Sequence, residues 1–212
     1  MSSVRASLKE DNAAARQIEA NVFPRSRYAL FFTIAIVGCA VDLATKSYVF
    51  SWLGEPIPPP APSRDNTYWL IEGYFGFQTA VNTGALFGMG KGGSHWFAAL
   101  SVVAATSIVY WLFFHGAARD RFLTIALGSV TGGIFGNLYD RLGFWPSSHP
   151  PNEYGVRDWI LMQIPGYPPW PNYNIADCCL VCGAALLIWH AVFYQDKDGD
   201  ETAEKEGEEC RM

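Results

Sequence analysis

Charge in this chain is segregated, and that segregation limits its fold more than any other feature. Nearly all ionisable residues fall in the first 27 residues, the last 17 and a few connecting loops, leaving apolar runs at roughly 28–50, 96–114, 122–142 and 175–194. Runs of about 20 residues are long enough to cross a bilayer core. Average composition conceals the pattern, since half of the 212 residues are apolar and the formal net charge is −5, values that would also suit a soluble enzyme. Within hydrocarbon a span must satisfy its own backbone hydrogen bonds, so all four are expected to be helices. The predicted architecture is an all-α membrane protein: a four-helix domain over 28–194, with an N-terminal tail (1–27) and an acidic C-terminal tail (195–212).

Lys and Arg near the span ends give an expected orientation. Arg5, Lys9, Arg16, Arg25 and Arg27 precede the first span, and Arg119 with Arg121 fills the turn between the second and third. Both segments are therefore expected in the cytoplasm, with both termini on that side and the long loops 51–95 and 142–174 facing outward. The first span is read as retained, because its leader is long and it carries Asp42 and Lys46. The tail DKDGDETAEKEGEE is read as a solvated acidic segment; Gly199 comes too early for a calcium loop. EPIPPPAPS (55–63) is expected to be an extended spacer at the membrane surface.

Three cysteines, Cys178, Cys179 and Cys182, open the fourth span and include a CxxC, but no second pair accompanies them and His95, His115, His149 and His190 are scattered. They are read as small packing residues, and no metal or cofactor is assigned.

Polar groups near membrane spans are costly unless paired or used. Asp42 and Lys46 stand one helical turn apart. Two readings fit them: a helix-end ion pair with Lys46 reaching to the outer surface, or a role in shaping a site. In the third span Gly128, Gly132 and Gly136 form a smooth ridge for a close neighbour, while Gly133, Asn137 and Arg141 make a second row that turns polar toward the outward end, where Asp140 also sits. Structural support and direct chemistry both fit Asp140 and Arg141; support is preferred. In the first outward loop, VNTGALFG places Asn82, Gly84 and Gly88 in a tight backbone suited to offering an amide, and alternation over 69–77 suggests short strands lying on the membrane.

Asp158 and Asp177 flank the proline- and aromatic-rich link IPGYPPWPNYNIA. Asn174 can cap the fourth helix, which puts Asp177 at its third position, near the positive end of the dipole. A capping interaction alone would account for Asp177. Asp158, however, lies on the same outward side, and the intervening prolines can turn the chain back toward the bilayer. Two close carboxylates resist double ionisation, so one keeps a proton while the other is charged. The charged one can deprotonate a water, and the protonated one can stabilise the oxyanion and then supply a proton to the leaving amine. That is aspartyl protease chemistry. A small transporter or channel subunit is the competing reading, but it predicts acids near mid-membrane on several helices, whereas these gather near the outward ends. A non-catalytic scaffold would leave the two acids without a joint purpose.

The blocks DLATK (42–46), NTGALFG (82–88), GGIFGNLYDR (132–141), VRDWI (156–160) and NYNIADCCLVCG (172–183) resemble, in order, the motifs of the lipoprotein signal peptidase (signal peptidase II) family. The resemblance spans roughly residues 28–194. It implies a bacterial inner-membrane aspartyl endopeptidase that removes the signal peptide of diacylglyceryl-modified prolipoproteins just before the lipidated cysteine. It further implies Asp158 and Asp177 as the catalytic pair, and Asp42, Lys46, Asn82, Gly84, Gly133, Asn137, Arg141 and Asn174 as positions that shape the site or hold substrate, with Asp140 in a supporting network. The loop around Asn82 would belong to the family's small extramembrane β-cradle over the site. Expected partners are the prolipoprotein and membrane lipid, with no nucleic acid and a monomeric state. Three departures stand out: the link LGFWPSSHPPNEYG (142–155) is longer than usual, Cys178 occupies a position where serine is common, and Leu86 replaces a usual alanine.

Overall fold

The computed structural model describes residues 24–58, 66–84, 93–168 and 170–193. Residues 1–23 of the N-terminal tail, the whole C-terminal tail, 59–65 with the spacer's 59–63, and 85–92 with Leu86 and Gly88 lie outside the described residues, as do the readings made for them.

Among the described residues four helices are long and apolar enough to cross a membrane: α1 (Ser26–Leu53), α2 (Ser94–Phe114), α3 (Arg121–Arg141) and α4 (Ile175–Phe193). They match the four apolar runs, with α1 extending a few residues beyond its run at each end. The least exposed is α3, whose apolar window is 61% buried within the protein against 11–17% for the other three. It is the central helix, packed by α1 and α4, and its sequence explains why it can be. A Cβ on Gly132 would lie 3.0 Å from the carbonyl oxygen of Ala35 in α1, and one on Gly133 would lie 2.4 Å from that of Ala176 in α4. Missing side chains let two backbones close on α3 from two sides. The outer helices present Ile36, Val37, Val103, Val181 and Ile188 to their surroundings, as lipid-facing surfaces require.

Two clusters fix the ends of the bundle. At one end Phe31, Leu112, Ala118 and Leu127 pack together beside the short turn Ala117–Arg119. There Asp120 caps α3 by accepting from Phe122 N and Leu123 N, and its other oxygen meets His190 in the last turn of α4. At the opposite end Val49, Phe50, Trp145, Trp159 and Ile160 join the helices to a small antiparallel sheet.

That sheet has three strands in the order β1 (Thr67–Ile71), β2 (Phe75–Asn82) and β3 (Val156–Met162). The first two include the short strands anticipated over 69–77 and pair as a hairpin, turning at Gly73 with φ 74°. The third was not legible as a strand. Six of its seven residues are buried, so the in-out alternation that marks a half-exposed strand is absent. Asn66 donates to Thr79 Oγ1 (3.1 Å), which donates to Gly54 O (2.7 Å), pinning β2 to the end of α1.

Candidate active site

The two acids come from different elements. Asp158 lies on β3 opposite Ala80 of β2, whereas Asp177 lies in the first turn of α4. They are drawn together because the proline-rich link folds back on β3: Tyr173 N donates to Ile160 O (3.2 Å) and Tyr173 O accepts from Ile160 N (2.8 Å). Asn174, the next residue, is fully buried and bonds to both acids. Its Nδ2 donates to Asp158 Oδ1 (2.6 Å), its Oδ1 accepts from Asp177 N (3.0 Å), and its own N donates to Asp177 Oδ2 (3.1 Å). The last two bonds form a reciprocal capping box. Capping and pairing, alternatives on the sequence, are therefore one arrangement.

Asn137 on α3 completes the cradle. Lys46 Nζ is a donor only, so the amide oxygen of Asn137 faces it (2.9 Å) and the amide nitrogen is left to donate to Asp177 Oδ1 (2.9 Å). Lys46 itself is fully buried between Asp42 Oδ2 (2.7 Å) and Asp140 Oδ2 (3.2 Å). Of the two readings for this residue, reaching to the surface is therefore excluded. Taking the ammonium out of water is costly, and the two carboxylates with the Asn137 oxygen offset that cost. Asp42 in turn accepts from Ala176 N (2.8 Å), satisfying another free amide at the start of α4. Gly136 makes room for this contact, since a Cβ there would fall 2.4 Å from Asp42 Oδ2.

Asp140 supports rather than faces the pair. One of its oxygens takes Arg157 Nε (3.0 Å) and Nη2 (2.7 Å), and the other takes Arg157 N (3.0 Å). With Asp42, Lys46 and Arg157 it forms a buried network of two acids and two bases. Asn82, Gly84 and Arg141 sit at the rim: Asn82 Oδ1 accepts from Gly84 N (3.0 Å), and Arg141 Nη2 reaches Gly84 O at 3.5 Å while its guanidinium lies 5.5 Å from the ring centre of Phe97. Gly133 serves helix packing, as described above.

Sequence reasoning passed over Arg157, Trp145 and Glu55. Arg157 carried a usable signal, because a cation inside an apolar pentapeptide beside a candidate acid calls for a buried counterion by the rule that flagged Lys46. The long link also proves to be built. Glu55 accepts from Ser147 Oγ (2.6 Å), Ser148 N (2.8 Å) and Asn152 Nδ2 (2.8 Å), anchoring the link to the end of α1. Burial pushes the Glu55 carboxyl up, but these bonds outweigh it and hold the group below its ordinary range.

Asp158 is 4% exposed. Burial, and after it the charge of Asp177, pushes its carboxyl well above the ordinary aspartate range. One acid thus tends to hold its proton beside a second that receives an amide from Asn137 and the open end of a helix. A buried acid held beside a second acid at the edge of four membrane-length helices is an arrangement suited to a membrane aspartic peptidase, and comparison with known proteins shows that family. A family model described as signal peptidase (SPase) II matches residues 34–193. The lipoprotein signal peptidase of Rhodopirellula baltica is 55% identical over 168 residues, 78% of this chain and 73% of that protein. The lipoprotein signal peptidase of Symbiobacterium thermophilum is 33% identical over 168 residues, 79% of this chain and 97% of that one. A solved bacterial membrane enzyme shares the fold with a TM-score of 0.60 at 24% identity, covering 76% of this chain and 87% of that chain. The chain belongs to the signal peptidase II family: it is a multi-pass membrane peptidase of the aspartic class.

Proposed function

We propose that Asp158 and Asp177 are the catalytic pair of a signal peptidase that cleaves diacylglyceryl-modified prolipoproteins immediately before the lipidated cysteine. The observation that carries this reading is the asparagine cradle, in which Asn174 donates to both carboxylates, from Nδ2 to Asp158 and from its backbone N to Asp177, and Asn137 aims its amide nitrogen at Asp177. Asp177 is the base that takes a proton from water as its oxygen attacks the scissile carbonyl. Asp158, protonated, donates a hydrogen bond to the developing oxyanion; with Oδ1 occupied by Asn174, the proton resides on Oδ2. Collapse of the tetrahedral intermediate breaks the C–N bond. The leaving amine takes a proton from Asp158, and the pair is restored with the proton that Asp177 accepted. This sequence needs no metal, cofactor or nucleic acid. Because every proposed group comes from one chain, a monomer suffices.

The membrane domain is taken as 28–194, with Asn82, Gly84 and Arg141 at the substrate rim and Asp42, Lys46, Gly133, Asp140 and Asn174 shaping the site. The proposed orientation has both termini in the cytoplasm and the pair near the outward face. It is supported by the basic turn at Arg119 and Arg121 lying at the opposite end of the bundle from the sheet. The lipid-facing surfaces of the three outer helices and an outward site suit a substrate that is itself held in the membrane. A transporter reading is not favoured, because the buried acids at this end are tied into one fixed network instead of lining a path. The test is incubation of the purified protein with a lipid-modified prolipoprotein and with its cysteine-to-serine form, which cannot be lipidated, read by mass spectrometry. Cleavage of the first alone, with a new N-terminus at the modified cysteine, is expected. Equal cleavage of both would overturn the substrate assignment.

A further inference from the structure

The long link 142–155 departs from the family pattern and yet is firmly attached on both sides of the site. Trp145, 5% exposed, donates from Nε1 to Gly155 O (3.2 Å) and packs edge-on against Phe50 of α1. Its ring lies 5.3 Å from the guanidinium carbon of Arg157, and Phe50 lies 6.0 Å from the same carbon. A guanidinium held near two aromatic faces while chelating a carboxylate oxygen has no freedom to rotate. The main chain of Arg157 is fixed as well, because its N–H donates to the second oxygen of Asp140. Ser47 Oγ takes Nη1 at 3.3 Å, which ties the same side chain to α1.

The ring contacts and the bonds to Asp140 and Ser47 act on Arg157, the residue immediately before Asp158, and the bond to Gly155 O holds Trp145 in place to make its contact. We infer that Trp145 and Arg157 are positioning residues, and that the long link works as a brace which sets the height and register of Asp158 against Asp177. The inference rests on the reading of Asp158 as one of the two reacting groups. It explains why a longer link does not displace β3: the extra residues are folded onto Glu55 at one side and Arg157 at the other. Neither Trp145 nor Arg157 touches the reacting atoms. They act through the position of β3.

The test uses the full chain in detergent micelles with a lipid-modified prolipoprotein. Variants are Trp145→Ala, Trp145→Phe and Arg157→Lys, with Glu153→Gln, an exposed change in the same link, as control. Small misplacement of a reacting group costs on the order of tenfold to a hundredfold in rate. Trp145→Ala and Arg157→Lys are therefore expected to lower kcat by about tenfold or more with KM changed less than about twofold. Their high-pH limb should move toward lower pH as Asp158 becomes wetter. Trp145→Phe, which keeps an aromatic face, should recover most of the loss. Lysine should not rescue Arg157, because an ammonium cannot make both side-chain bonds to Asp140 and lie flat against Trp145. Should Trp145→Ala fail to fold, Arg157→Lys decides: a lowered kcat with a shifted limb supports the brace, and a wild-type kcat overturns it. Asp158→Asn separates the two levels of the argument. If that variant cleaves normally, the catalytic reading fails; if it is inactive while Arg157→Lys and Trp145→Ala keep wild-type kcat, only the brace fails.

Discussion

Removing the charge of Lys46 by Lys46→Met would affect both stability and chemistry, and the two effects can be separated. The ammonium is fully buried and lies 2.7 Å from Asp42 and 3.2 Å from Asp140. Without it Asp140 still has Arg157, but Asp42 keeps only the amide of Ala176. Breaking a buried ion pair by deleting one partner costs about 3–5 kcal/mol, because an uncompensated charge stays inside. Against a typical total of about 5–15 kcal/mol that is a large fraction. The double variant Asp42→Asn/Lys46→Met removes both charges and should recover about 2 kcal/mol or more of the loss, a clear coupling in a double-mutant cycle. Activity should not recover. Asn137 Oδ1 accepts from both Lys46 Nζ (2.9 Å) and Asn174 Nδ2 (3.1 Å), so both variants remove one of the two bonds that aim the amide nitrogen at Asp177, and kcat should fall by about tenfold or more in each. Stability is read by SDS titration in mixed micelles with far-UV circular dichroism, and activity by prolipoprotein cleavage. A single variant within about 1 kcal/mol of wild type, or a double variant with restored cleavage, would refute the reasoning.

Three further outcomes follow from the same geometry. Asp158→Asn should abolish cleavage and yet melt at a higher temperature than wild type at neutral pH. The folded carboxyl titrates above its unfolded value, so wild-type stability falls as pH rises from about 4 through the raised value, and the advantage of the variant should vanish below about pH 4. Asn174→Ala should cost about 0.5–2 kcal/mol as a lost cap, measured by the same titration, while reducing kcat far more than a cap elsewhere would, since Asn174 also holds Asp158. Gly136→Ala should destabilise by about 1–3 kcal/mol despite alanine's better helix propensity, because the new methyl falls 2.4 Å from Asp42 Oδ2; a variant as stable as wild type would show that α1 and α3 can separate there without loss.

The spans were legible because bilayer thickness imposes a length that no soluble fold requires, and each run of about 20 apolar residues became one helix. Short strands over 69–77 were legible through alternation, although their pairing as a hairpin and the extension of the second to Asn82 were not. Strand β3 was hidden for the opposite reason: neighbours cover it on both faces, so Val156, Trp159, Ile160 and Leu161 read as an unpatterned apolar run. The capping role of Asp177 followed from its offset to Asn174, a local relation three residues long. Nothing local revealed that Lys46 meets Asn137, 91 residues away, or that Ser47 meets Arg157 across 110. Such contacts depend on how closely α1 and α3 approach, and that is set by the absent side chains of Gly132 and Gly136. The glycine ridge was visible in the sequence; the ion network it permits was not.

The central claim is that Asp158 and Asp177 act together on the scissile bond. Its most direct test is the single-turnover rate of lipid-modified prolipoprotein cleavage by folded Asp158→Asn and Asp177→Asn variants, compared with the double variant. Each single change should reduce the rate by about a thousandfold or more, and the double variant should be scarcely worse than either, since groups that act as one unit are not additive. A single variant that stays folded and cleaves within about tenfold of wild type, or losses that multiply in the double variant, would contradict it.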